Sequence, residues 1–143
     1  MQLKINDFQD VMLEALEENN EFLLPICGTS MEPFIHTGDK ALIKKSDSYK
    51  KRDVILYKRQ SGQFVFHRIL KRKKDFFLVT GDNQIDLEEV KMNQIKGKMV
   101  QLIQNNKVVN HRSLFYRFKI WVWSNRIYRR VYWKLFGRKY LKK

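Results

Sequence analysis

The chain has 143 residues, 43% hydrophobic and 31% charged, with 29 Lys/Arg against 15 Asp/Glu and a formal net charge of +14. That length suits one domain with a real core, and no run of about 18 uninterrupted apolar residues exists to form an ordinary spanning helix. Cys27 is the single cysteine, which excludes an internal disulfide and a multi-cysteine zinc site, and no cofactor is called for.

The start, Met1 to Asp7, is polar and acidic and lacks the basic and apolar stretches of a secretory signal, so a cytoplasmic location is expected. Residues 5–19 follow helical spacing. Phe8, Val11, Met12, Ala15 and Leu16 recur at three- and four-residue steps, with Asp10, Glu14, Glu17 and Glu18 on other faces. Asn6 or Asp7 could cap this helix. From Glu21 the pattern changes to short β-like runs: 22–27, 40–44, 54–58, 64–70, 76–80, 99–103 and a short 107–110. Turn signals separate them, among them Gly38-Asp39, Gln60-Ser61-Gly62-Gln63, Gly81-Asp82-Asn83 and Asn105-Asn106. The pattern predicts a compact antiparallel β domain over residues 1–110, with the helix at its N-terminus. Lys71-Arg72-Lys73-Lys74 reads as a solvated hairpin tip. Cys27 reads as a small buried strand residue.

Residues 111–143 differ in kind. They hold eleven Lys/Arg and no acid, and so contribute most of the net charge. Within 113–136 an aromatic stripe at helical spacing (Leu114, Phe118, Trp121, Val122, Tyr128, Tyr132, Leu135) is interleaved with basic residues. All three tryptophans, Trp121, Trp123 and Trp133, fall here. A cationic, aromatic, acid-free helix can lie in a membrane interface with its rings at headgroup level and its cations on anionic lipid. Trp121, Trp123, Arg126, Arg129, Arg130 and Trp133 are the candidate lipid contacts. Packing of the stripe onto the β domain and single-stranded nucleic-acid binding are the alternatives, the latter the weaker.

The chemistry-bearing residues lie earlier. Gly28-Thr29-Ser30-Met31-Glu32-Pro33 places a serine between small residues directly after a strand. Acyl transfer by serine needs a base for the hydroxyl proton and donors for the oxyanion. Of the three histidines, His36 falls in a turn and His111 opens the basic tail, where it reads as solvated. His67 lies inside a strand, on the same side as Val65 and Ile69 by alternation. Asp82 and Asp86 follow at a strand end. Such carboxylates commonly cap turns; a buried one could instead hold the histidine tautomer.

In order, Ser30-Met31-Glu32-Pro33, Gly38-Asp39-Lys40, His67-Arg68-Ile69 and Gly81-Asp82-Asn83 with Asp86 resemble the type I signal peptidase family, within the wider group that includes the self-cleaving SOS repressors. The resemblance implies a serine endopeptidase on a mostly β fold, with Ser30 as nucleophile and His67 as general base. Asp86 is the first choice for the supporting acid and Asp82 the second. Gly28, Thr29, Met31 and Pro33 would shape the substrate and oxyanion side. The histidine resembles the branch without a lysine base, and Gly28 stands where signal peptidases commonly carry a serine. Small P1 and P3 side chains are implied for a peptide or precursor-protein substrate. The family's usual N-terminal anchor has no counterpart, which points to a peripheral enzyme on the inner membrane face acting on something other than ordinary secretory signals. A catalytically silent peptide- or membrane-binding module is the alternative.

Overall fold

The computed structural model describes residues 9–136, and the side chains of Arg126 and Trp133 lie outside that description. The predicted helix is present as α1 (Gln9–Asn19), with Met12 and Leu16 buried; the proposed cap at Asn6 or Asp7 lies outside the described residues. Eight strands follow: β1 (Glu21–Pro25), β2 (Lys40–Lys44), β3 (Val54–Lys58), β4 (Phe64–Arg72), β5 (Phe77–Thr80), β6 (Glu88–Val90), β7 (Ile95–Gln104) and β8 (Lys107–Val108). They form one antiparallel sheet in the order β1-β2-β7-β3-β4-β5-β6, with β8 paired to β7. The fold is therefore mainly β, as expected.

Alternation along the central strands builds a core on each face of the sheet. Val54 and Leu56 of β3, with Phe64 and Phe66 of β4, join Met12, Leu16, Leu24, Ile43 and Leu102 on one side. Ile55 and Tyr57, with Val65 and Ile69, join Tyr49, Phe77, Val79 and Val90 on the other. The β3–β4 hairpin closes through Arg59 N–H to Gln63 O and Gly62 N–H to Arg59 O, at 2.8 and 2.9 Å. Lys71 to Lys74 are exposed at the β4–β5 tip.

Two expectations need correction. Cys27 lies past the end of β1 and is half-buried. The tail is two helices rather than one, α2 (Leu114–Trp123) and α3 (Arg126–Phe136). The break has a local cause. Ser124 Oγ donates back to Ile120 O at 2.7 Å, and Asn125 Oδ1 accepts from Ile127 N–H at 3.0 Å, which is the geometry of a helix N-cap.

Candidate active site

Residues 26–39 make an excursion between β1 and β2. Its base is closed by Ile26 N–H to Asp39 O at 2.9 Å and Gly38 N–H to Ile26 O at 3.0 Å. Thr37 Oγ1 accepts from Gly28 N–H (2.9 Å) and donates to Gly28 O (3.0 Å). Gly28 needs its freedom here, at φ +104°. Met31 and Ile35 sink into the core, 3% and 0% exposed, and anchor the loop from below.

A second loop braces the first. Asn83 N–H donates to Ser30 O at 2.9 Å, and Asn83 Nδ2 donates to Thr29 O at 3.1 Å. Gly81 permits the approach, because a Cβ there would lie 2.5 Å from Ser30 O. Two boxes more than fifty residues apart are thus held against each other.

Ser30 and His67 line a single pocket of about 250 Å³, shared with Cys27, Gly28, Phe64 and Gln84. Among the described residues no hydrogen bond joins the Ser30 hydroxyl to the imidazole. Such contacts often tighten only around substrate.

His67 pairs with Ile55 across the β3–β4 ladder, which sets Tyr57 diagonally beside it on the same face. The Tyr57 hydroxyl lies 3.3 Å from His67 Nδ1 and donates to Glu88 Oε2 at 2.7 Å. Arg59 holds the same carboxylate with Nε and Nη2, each at 2.8 Å. A tyrosine has one hydroxyl proton, and an ionised carboxylate can only accept it. The Tyr57 oxygen must therefore accept from His67 Nδ1–H, which leaves Nε2 as the ring's acceptor. Burial, only partly opposed by the Glu88 charge, lowers the His67 pKa to about 4. Burial likewise raises that of Tyr57, while the Arg59 hydrogen bonds lower that of Glu88. At neutral pH the set is a neutral imidazole, a neutral phenol and a carboxylate.

The carboxylate that the structure places behind His67 is that of Glu88, reached through Tyr57; the expected Asp86 and Asp82 make no hydrogen bond to the ring. Asp82 is 1% exposed. Both its oxygens are taken by Arg68 Nε and Nη2 at 2.8 Å. Arg68 follows His67 on β4, so the two point to opposite faces and one carboxylate cannot hydrogen-bond both. Asp86 is exposed, and its part is its backbone carbonyl, which accepts from Thr80 Oγ1 at 2.7 Å. Glu88 stands on β6, outside the strands that the sequence pattern predicts. The available signal was the Ile55/Tyr57 alternation, which puts a phenol on the His67 face.

The other expected site residues divide. Gly28 lines the Ser30 pocket. Met31 lines it too, but is chiefly a core anchor. Thr29 contributes its carbonyl to the Asn83 brace. Pro33 is exposed and lies with Phe34 in a different groove, against α2; the Glu32–Pro33 peptide is cis.

The tail reaches this site. Trp123 Nε1 donates to Asp82 O at 2.6 Å. Arg129, 2% exposed, donates to Trp123 O (2.6 Å), Gly81 O (3.2 Å) and Gln84 O (2.8 Å). Trp123 and Arg129 thus turn inward instead of toward lipid. The physical reason is that the 81–84 loop presents carbonyls that need donors once covered. Trp121 and Arg130 are exposed, while the side chains of Arg126 and Trp133 lie outside the described residues. His111, expected to be solvated, is half-buried, with Nδ1 enclosed and unpartnered.

No curated protein matches the chain. A family model described as Peptidase S24-like matches residues 3–109, well over half of it and the whole of the Ser30/His67 sheet. The chain therefore belongs to the Peptidase S24-like family.

Proposed function

We propose that the protein is a serine endopeptidase that cleaves a peptide or precursor protein through Ser30 and His67 while attached to an anionic membrane surface. The observation that carries the reading is the shared pocket. The serine of the 28–33 loop and a histidine whose Nδ1 is already committed to Tyr57 line it together. Ser30 Oγ attacks the scissile carbonyl, and His67 Nε2 takes its proton. The imidazolium so formed faces the Tyr57 oxygen and, beyond it, the Glu88 charge. His67 returns the proton to the leaving amine, and water then releases the acyl group from Ser30. The brace from Asn83 holds the Ser30 backbone still, which is the condition for a preorganised oxyanion site.

The test is labelling of the full chain with a fluorophosphonate, read by intact mass. The expected result is one adduct on Ser30, and none in Ser30→Ala or His67→Ala, with unfolding by urea still cooperative in both. Wild-type chain that never labels would leave the silent binding module as the better description.

The membrane part is supported by exposure and charge. Leu114, Phe118, Trp121, Ile127 and Leu135 all stand more than half exposed on α2 and α3. Exposed Arg117, Lys119, Arg130 and Lys134 lie among them. No helix of the described residues is long and apolar enough to cross a membrane, so the attachment is interfacial. Co-sedimentation should require phosphatidylglycerol in the vesicles and weaken with salt. Equal binding to uncharged vesicles would count against it.

A further inference from the structure

A second pocket, of about 390 Å³, lies where α2 meets the sheet. Arg68 lines it, whereas His67, the neighbour facing the other way on β4, lines the Ser30 pocket. Its charges are unevenly matched. Arg68 is neutralised by Asp82. Asp53, the one acid in the lining, is 3.5 Å from Lys98 and accepts from Lys50 N–H. Lys51, Arg52, Arg112 and Arg117 also line the pocket, and none of them has an acidic partner among the described residues.

Three residues of the same lining each carry a buried polar atom with no hydrogen-bond partner: Arg52 Nε, His111 Nδ1 and the Tyr116 hydroxyl. Buried groups of this kind are costly unless something binds them. They come from two separate segments, 51–53 and 111–117, so no single turn explains them.

We propose that this pocket binds a phosphate group. Arginine forks and a phenol lining one pocket suit an oxyanion with acceptors all round it. A carboxylate, with two oxygens in one plane, would leave part of the set unmet. The volume exceeds that of phosphate alone and accommodates a substituent. The phosphate is that of a lipid headgroup or a free phosphate in solution. The proposal stands apart from the peptidase reading, because no readout below depends on proteolysis.

The test uses the full chain and four variants: Arg52→Gln, Arg117→Gln, Tyr116→Phe, and Lys119→Gln as a charge control outside the pocket. Calorimetric titration with inorganic phosphate should show one site per chain. Affinity should fall about ten-fold or more in either arginine variant, by less in Tyr116→Phe, and not in Lys119→Gln. Phosphatidylglycerol vesicles form the second arm. If the source is lipid, the arginine variants lose more vesicle binding than Lys119→Gln, and inorganic phosphate competes with the vesicles. If it is free phosphate, all three charge variants lose vesicle binding equally. Urea unfolding in phosphate-free buffer checks that the variants fold; Tyr116→Phe, which removes only one oxygen, decides the matter should the arginine variants not fold. The proposal is overturned if neither probe separates the pocket variants from Lys119→Gln.

Discussion

Replacing Tyr57 with phenylalanine removes one oxygen from the middle of a four-residue chain of contacts. Glu88 loses the 2.7 Å bond from Tyr57 but keeps both from Arg59, and it is partly solvated. His67 fares worse. It is 5% exposed, and Tyr57 is the acceptor placed against its Nδ1, at 3.3 Å. A buried N–H left without an acceptor costs about 1–3 kcal/mol. In the resting protein the ring can escape by moving its proton to Nε2, which spoils it as a base. In the transition state it cannot, because an imidazolium carries both protons. The cost therefore falls on the barrier, and about 1.4–2.7 kcal/mol corresponds to a 10- to 100-fold slower reaction. The assay is the second-order rate of fluorophosphonate labelling of Ser30, followed by mass from acid to mildly alkaline pH. The wild-type rate should rise with an apparent pKa near 4, where His67 loses its proton. Tyr57→Phe should reach a plateau 10- to 100-fold lower, about as the barrier argument requires. Glu88→Gln should move the rise to lower pH, because the lost charge raises the His67 pKa in the wild type. A Tyr57→Phe protein that labels at the wild-type rate would refute the orienting role.

Other outcomes follow from the same contacts. Asp82→Asn leaves Arg68, 4% exposed, without its counter-charge, and should cost about 3–5 kcal/mol in urea unfolding; exchanging both partners for apolar residues should restore most of it. Arg129→Met keeps the bulk but removes donors to three carbonyls. It should cost about 2–4 kcal/mol of stability and slow Ser30 labelling through the 81–84 loop. Acid should also destabilise the fold through His67. Its folded pKa, about 4, lies below the 6.5 of an ordinary imidazole. Between those values the unfolded chain binds a proton that the folded chain refuses. Stability is thus full above pH ~6.5, declines as the pH falls, and loses roughly 3 kcal/mol by pH ~4. Urea midpoints across that range should lose this slope in His67→Phe.

The sheet was largely legible in the sequence. Lys40–Lys44 and Val54–Lys58 are short, bounded by turn residues and alternating or fully buried, and both strands fall where the pattern puts them. β6 was not legible, since it is three residues long, two of them glutamates, and is marked only by its pairing with β5. With it went the carboxylate that Tyr57 links to His67. Ser30 and His67 could be read from motif order. The Tyr57–Glu88 link could not, because it depends on a diagonal across two strands and a pairing with a third. The direction of the tail residues was equally hidden. Trp123 and Arg129 face inward because of carbonyls in a loop forty-odd residues earlier, which no helical periodicity encodes.

The order in which the molecule is made gives the Arg129 contacts a further meaning. A growing chain acquires Ser30, His67, Tyr57 and Glu88 well before Trp123 and Arg129. In the folded chain the 81–84 loop holds Thr29 and Ser30 through Asn83, while its own carbonyls at Gly81, Asp82 and Gln84 take their donors from Trp123 and Arg129. The brace on Ser30 is completed only when α3 docks. The residues that finish this brace are thus translated after all those it holds, so the segment that carries Ser30 is made long before its setting is complete.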